Sequence, residues 1–482
     1  MKKYLIIETF PFTPHIEAAA EIAINLKKKN KVYFFWCGYD LPWKDWELPW
    51  YKKMLFFSYE RKIVNLISYL EKKNIKIIPK FNLTLRTERF INKSINNIKD
   101  LNQIKKYKYK NKISLGSSVI SSLISKYHNL DQKFKNDEIL RSIKSACIVF
   151  ERSIELINNL DPDYIVTFNS RFAISKPIIE AARIKKKKIL IHETASDLSK
   201  YAVHKGDIFD KKYFYNNINK YWNLEKNAKK KINVAKKYFQ LLLKKKLLKR
   251  SGYNFEINSL NRINLDKKKI NIVFFCSTEH EFSSISYQRK DFYLNHNWEK
   301  QINAINSIIK IIKKDKNKFL YVKAHPNFSS HSNQEKLLKK LENSQVRYLS
   351  NKECVDSISL LKQSDIIVTF GSSLELLALY LNKKVISLFK ALYSKFNLFH
   401  YPKNEKELEW LLNNSIKKRV GINKILKISY YYMNHGTLFK HFKAYKFSRG
   451  EIINERNINH YGFMLNLLFK IKFIRKLCLK VL

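Results

Sequence analysis

The 482 residues exceed what one hydrophobic core usually holds, and 45% hydrophobic with 14% aromatic residues excludes a disordered chain. A formal charge of +52 attracts anionic ligands, anionic lipid and nucleic acid alike. The lysines are nevertheless spread along the whole chain among Asn and Ile, without an RNA-binding aromatic signature, zinc-finger spacing or a basic region joined to heptads, so no specific nucleic acid is expected.

The chain opens as strand, turn, helix, strand. "YLIIE" is a short apolar run broken by "TFPFTP", and Thr13 is placed to cap a helix with Pro14 at its first position. "HIEAAAEIAINLKKK" carries that helix, with His15 at its start, and "KVYFFWCG" reads as the next buried strand. The opening "MKKYLIIETF" has only four apolar residues before Glu8, short of the roughly 7–15 of a signal peptide. Nor does any run approach the roughly 18 apolar residues of a spanning helix. Cys37, Cys147, Cys276, Cys354 and Cys478 form no C-x-x-C pair, which suits a reducing compartment and gives neither a disulfide framework nor a zinc site. These features predict a cytoplasmic protein.

Residues from about 50 to 160 read as a lysine-rich helical insertion. At Asp161 the α/β pattern resumes, with strand 163–168, a polar loop, helix 176–185 and strand 188–192. Residues 225–269, dense in Lys and Leu, read as a helix followed by a linker. A second series begins at "KINIVFFCSTEHEF" and runs through helix 300–313 and strand 318–323. It continues with strand 365–370, a turn at Gly371, helix 372–381 and strand 384–388. The expected organisation is an α/β chain of two Rossmann-like domains. The N-terminal one is 1–260 with its insertion, the C-terminal one is 268–430, and a helical tail covers 431–482.

Three strand ends in the second series carry candidate chemistry. In "YVKAHPNFSSHS" proline keeps His325 extended, so its imidazole stays at the carboxyl end of its strand, where open parallel sheets bind ligands. Lys323, two residues earlier, falls on the same face. His331 in the same stretch reads as a surface residue. In "VTFGSSLELL" Gly371 allows a tight turn and Ser372 and Ser373 open a helix, an arrangement suited to phosphate, with Glu375 one turn further on as a candidate for a ribose hydroxyl. "FFCSTEHEF" adds Ser277 and Thr278 as donors, and Glu279, His280 and Glu281 as titratable groups. No G-x-G-x-x-G fingerprint is present, which argues against an ordinary dinucleotide fold. In the first series "FNSRF" sets Asn169 and Arg171 at a strand end, and "IHETA" does the same for His192 and Glu193. Glu193 is a candidate general base or a partner of Arg171. His15, Asn169 and Arg171 form the candidate acceptor side.

The strand-"HPN" followed by "SDIIVTFGSS-LE-A-----K-VISL" resembles the C-terminal half of bacterial capsule and surface-polysaccharide glycosyltransferases. These are similar in turn to Kdo transferases and bacterial sialyltransferases. "FNSRFAISKPIIEAA" followed by "HET" resembles a further segment of that family, with Ser170 where glycine is usual and Thr194-Ala195 after the glutamate. The resemblance covers roughly 1–40, 160–200 and 270–390. It implies a GT-B fold of two facing Rossmann-like domains, with the nucleotide-sugar donor held by the His-Pro and serine motifs in the C-terminal domain and the acceptor in the N-terminal one. It implies no obligatory metal. The lone D-x-D, Asp161-Pro162-Asp163, precedes a strand and reads as a turn.

From Phe463, apolar residues recur at Leu467, Ile471, Ile474, Cys478 and Val481, one face of a basic amphipathic helix. Such a helix suits either an anionic membrane surface or docking back onto the protein. The sequence therefore predicts a cytoplasmic, peripheral glycosyltransferase with no cofactor. It would move a sugar, CMP-activated Kdo or sialic acid among the candidates, to a glycan or lipid-linked acceptor. The leaving phosphate would lie against Lys323, His325, Ser372 and Ser373. Glu193 first and Glu279 second would serve as base or nucleophile. A nucleotide-sugar epimerase of related fold and a non-enzymatic basic binding protein are the rival readings.

Overall fold

In a computed structural model the described residues are 1–46, 59–98, 100–128, 134–245, 261–286, 292, 298–326, 333–414, 421–446 and 449–453. The chain divides into two units. Among the described residues, one comprises those up to Ile208 and those from Gly436 on, the other those from Phe209 to His435.

In the first unit the strands are β1 (Lys3–Glu8), β2 (Lys31–Trp36), β3 (Lys76–Ile77), β4 (Lys108–Tyr109), β5 (Ile113–Ser114), β6 (Tyr164–Phe168), β7 (Lys188–Thr194) and β8 (Lys200–His204). Apolar runs such as "YLIIE" and "VYFFW" are buried on both faces, as parallel strands flanked by helices must be. β3, β2, β1, β6 and β7 are parallel neighbours in that order, and β8 follows antiparallel to β7. The chain builds outward from β1 through β2 to β3, then returns to the other side of β1 as β6. Its topological switch point therefore lies between β1 and β6, where ligands of such sheets bind. The insertion is mainly helical as expected, with Tyr59–Lys72, Leu85–Ile95, Leu101–Lys106, Gly116–Tyr127 and Asn136–Leu160, and the β4–β5 hairpin between them.

The second unit has β9 (Ile270–Phe275), β10 (Lys318–Lys323), β11 (Val346–Leu349), β12 (Ile366–Thr369) and β13 (Lys384–Ser387), all parallel, in the order β11-β10-β9-β12-β13. Here the switch point falls at β9, with β10 on one side and β12 on the other. Alternation decides the packing. Val273, Phe275, Tyr321, Ile367 and Val385 face one hydrophobic cluster, while Ile272, Phe274, Leu320, Val322 and Val368 face the other.

The α/β class and two Rossmann-like sheets are as the sequence implies. Three local readings differ. Helices Lys211–Leu224 and Ala228–Leu243, placed before the 260 boundary by sequence, belong to the second unit: Trp222 and Phe239 join its core, against Tyr430 and Tyr380. Thr13 does not cap helix His15–Lys27; its hydroxyl donates to Glu17 at 2.8 Å instead. The segment after residue 435, expected to be helical, forms β14 (Thr437–Leu438), β15 (Phe442–Lys446) and β16 (Arg449–Ile452). β14 pairs with β8 on the first sheet, and the His441 backbone N–H donates to buried Glu21. The amphipathic stretch 463–481 and His331 lie outside the described residues. None of the described helices is long and apolar enough to cross a membrane.

Candidate functional site

At the carboxyl edge of the second sheet, register does the assembling. Lys323 and Thr369 both pair with Phe275. Two residues on, His325, Ser277 and Gly371 therefore emerge from three adjacent strands at the same level, across about 10 Å. Lys323 is buried, its ammonium 3.4 Å from the Ala324 carbonyl, and desolvation lowers its pKa. Its charge and burial together push His325 down to about 4, so the imidazole is neutral at physiological pH. An arriving phosphate would offset Lys323 and favour the imidazolium.

Ser277 and Thr278 are buried at the end of β9. Gln301 fixes that turn, accepting the Ser277 N–H at 2.7 Å and donating to the Ser277 carbonyl at 2.8 Å. The Ser277 hydroxyl is buried and finds no partner among the described residues. Glu279 is buried and accepts the Gln301 N–H at 2.9 Å, so its carboxylate serves the start of helix Gln301–Ile312.

Gly371 sits at φ +80°, and a Cβ there would lie 2.9 Å from Phe389 and 3.2 Å from Phe282. Glycine is required by both conformation and space. The following helix, Leu374–Tyr380, begins two residues later than the sequence suggests and has only seven residues. The donors here are thus the turn itself, exposed Ser373 and half-buried Ser372, whose Oγ accepts the Leu374 N–H at 3.3 Å. Glu375 does not line this edge with a free carboxyl. It is fully buried, accepting the Thr369 and Tyr393 hydroxyls at 2.6 Å each, and burial raises it to about 7.

The first sheet's edge is built from charge pairs. Phe168 pairs with His192 and lies level with Glu8, all on one face. Across it, His192 Nε2 meets Glu8 Oε1 at 2.6 Å, with both side chains fully buried. Burial raises the Glu8 pKa. Asn169, next on β6, takes a left-handed φ of +52°. Its carbonyl oxygen accepts the N–H groups of Ser170 (2.6 Å) and Arg171 (3.1 Å), leaving its amide to donate to Glu193 Oε2 at 2.8 Å. The other oxygen of Glu193 accepts the Thr194 N–H at 2.9 Å and lies 3.5 Å from His15 Nδ1. Burial raises the Glu193 pKa. Behind this row, buried Lys62 binds Glu17 at 2.6 Å, the Thr13 hydroxyl at 2.8 Å and the Pro11 carbonyl at 2.9 Å.

Of the residues expected on the acceptor side, Asn169 and His15 come together, around the candidate base Glu193. Arg171 turns its guanidinium to Ser125 (2.8 Å) and Ser121 (3.4 Å) and lies over the Phe172 ring at 4.1 Å. Sequence reasoning missed Glu8, Glu17 and Lys62. Glu8 had a signal, an acid ending an apolar run; Lys62, on an amphipathic helix far along the chain, had none. Among the described residues no group of three or more His, Cys, Asp or Glu is placed to hold a metal ion.

Two α/β units bring candidate residues to the carboxyl edges of their sheets, at the switch points. Residues 174–400 match the family described as capsule polysaccharide biosynthesis protein, so the resemblance carried by the His-Pro and Gly-Ser-Ser motifs holds. No curated protein matches the chain. Among solved structures it is similar to the beta Kdo 2,7 transferase KpsC of Thermosulfurimonas dismutans, at 14% identity over 59% of this chain and 79% of that one, with a TM-score of 0.36. The beta Kdo 2,4 transferase of the same KpsC is similar at 14% identity, 56% and 80% coverage and TM-score 0.38. The UDP-GlcNAc 2-epimerase of Methanocaldococcus jannaschii, in complex with UDP-GlcNAc and UDP, matches at 11% identity, 89% and 98% coverage and TM-score 0.29. At such scores these likenesses add no weight; fold and site rest on the sheets and the motifs.

Proposed function

We propose that the chain is a glycosyltransferase of capsule or surface-polysaccharide synthesis, acting at the cytoplasmic side. It takes a nucleotide-activated sugar, of the CMP-linked Kdo or sialic-acid class, as donor and a glycan or lipid-linked hydroxyl as acceptor. The observation that carries this reading is the in-register row of His325, Ser277 and the Gly371–Ser372 turn at the switch point of the second sheet. His325 and the serine hydroxyls follow their strands at one level, with buried Lys323 two residues before His325, an arrangement that suits a leaving phosphate and the charge it develops. Buried Ser277, whose hydroxyl finds no partner among the described residues, supports a ligand there, since such a group costs about 1–3 kcal/mol unless something binds it. The acceptor belongs to the first unit, where Asn169, Glu193 and His15 form a polar cluster able to orient a hydroxyl.

Donor turnover followed by NMR tests the reading. Cleavage of the sugar–phosphate bond, with the sugar passed to an acceptor or slowly to water, is expected. A donor converted to its epimer with the nucleotide still attached would replace the reading with the epimerase one.

A further inference from the structure

Glu193 is the obvious base by sequence, yet both of its oxygens are engaged. Asn169 holds Oε2, while Thr194 N–H and the His15 ring share Oε1. The nitrogen of this cluster that remains unengaged among the described residues is on His15. Its Nδ1 is turned toward Glu193 Oε1 (3.5 Å) and Thr194 Oγ1 (3.4 Å), and its Nε2 has no partner among the described residues. The ring rests on Phe168 at 4.1 Å between centroids, and the side chain remains 13% exposed against 25% for Glu193.

We propose that His15 is the general base of the transfer reaction and that Glu193 is its positioning residue, fixing the Nδ1–H tautomer. The proposal rests on the glycosyltransferase reading. As the acceptor oxygen bonds to the anomeric carbon, its proton passes to His15 Nε2. The bond from that carbon to the donor phosphate oxygen breaks, and the phosphate keeps the electron pair. The imidazolium so formed donates its Nδ1–H to Glu193, and the 3.5 Å separation is of the loose kind that closes once substrate is seated.

The charged and titratable groups around His15 fit this role. His15 is faced by Glu193 and His192 of β7 and by Lys62 of helix Tyr59–Lys72; His192 is paired with Glu8 at the end of β1, and Lys62 with Glu17 on the helix of His15 itself. Burial, His192 and Lys62 hold the resting His15 down to about 3. Its Nε2 lone pair is therefore available throughout the physiological range.

Nitrogen-15 NMR of the histidine-labelled full chain, with His15→Gln for assignment, is expected to show a neutral Nδ1–H tautomer from about pH 5 to 8. An Nε2–H tautomer overturns the proposal. With CMP-Kdo, UDP-GlcNAc and GDP-mannose as donor probes, His15→Gln should lower kcat about 100-fold or more while nucleotide-induced thermal stabilisation is unchanged. Imidazole in the buffer should restore part of the activity of His15→Gly, and Glu193→Gln should cost less than either His15 variant. A His15→Gln enzyme within threefold of the parent, or a Glu193→Gln loss larger than that of His15→Gln, overturns the assignment and leaves the glycosyltransferase reading standing. Failure of every nucleotide to stabilise the parent removes that reading, and this inference with it.

Discussion

The two sheets present their carboxyl edges with opposite chemistry. The first is stocked with buried ion pairs and imidazoles: Glu8 with His192, Lys62 with Glu17, His15 beside Glu193. The second presents serine hydroxyls, a tight glycine turn, buried Lys323 and the neutral His325, and keeps two acids, Glu279 and Glu375, inside. One edge is rich in titratable groups, the other in hydroxyl donors. Their shared parallel topology does not distinguish them; the residues that follow each strand do.

The largest way to break the contrast is at Lys62. Removing its charge leaves Glu17 buried without compensation, so Lys62→Met should cost about 3–5 kcal/mol in denaturant unfolding. Adding Glu17→Leu to it should recover much of that loss; no recovery would mean that Lys62 acts through other partners. On the second edge, His325→Ala should remove about 2–4 kcal/mol of transition-state stabilisation, read as kcat/KM with the donor that the parent accepts. Unchanged turnover would take His325 out of the site.

A pH experiment sharpens the comparison further. Glu375, held up to about 7, binds a proton in the folded state that the unfolded chain releases near 4.5. Its contribution is complete below about pH 4.5 and is lost as pH rises toward 7, by about 3 kcal/mol at most. The groups facing it are Thr369, Ser387, Tyr393, Tyr401 and Tyr432. Glu375→Gln should flatten that slope in urea midpoints taken from pH 4.5 to 7.5; an unchanged slope assigns it elsewhere. The smallest effect is expected at Gly371. Alanine there meets a left-handed backbone and the Phe389 ring, costing about 1–2 kcal/mol of stability and weakening nucleotide binding.

Much of the second unit was legible because its elements are local. Strand 318–323 with His325, and the β12–Gly371–helix unit, need only an apolar run, a Pro or a Gly, and a periodicity. His325, Ser277 and Gly371 could be grouped from sequence because each follows its strand by the same short interval. What sequence could not show is what lies far apart in it. Glu8 meets His192 across 184 positions and Lys62 reaches Thr13 across 49. Periodicity says which face is buried, not which buried acid meets which base. Glu375 and Glu279 misled for a related reason. An acid near a strand end looks free in one dimension, while Thr369 with Tyr393, and Gln301, claim those carboxylates in three. Helices 211–243 changed unit because their apolar stripes fit the Tyr430–Tyr431 side of the second core, a choice that pattern alone does not make.

Thermal unfolding of the full chain with CMP, UDP, GDP and ADP, repeated on His325→Ala, tests the central claim most directly. A nucleotide bound at 100 times its Kd should add about 2.7 kcal/mol of stability. The account predicts that one nucleotide, CMP foremost, raises the unfolding temperature selectively and that His325→Ala loses most of that shift. No response to any of the four, or an equal response in parent and variant, would contradict it.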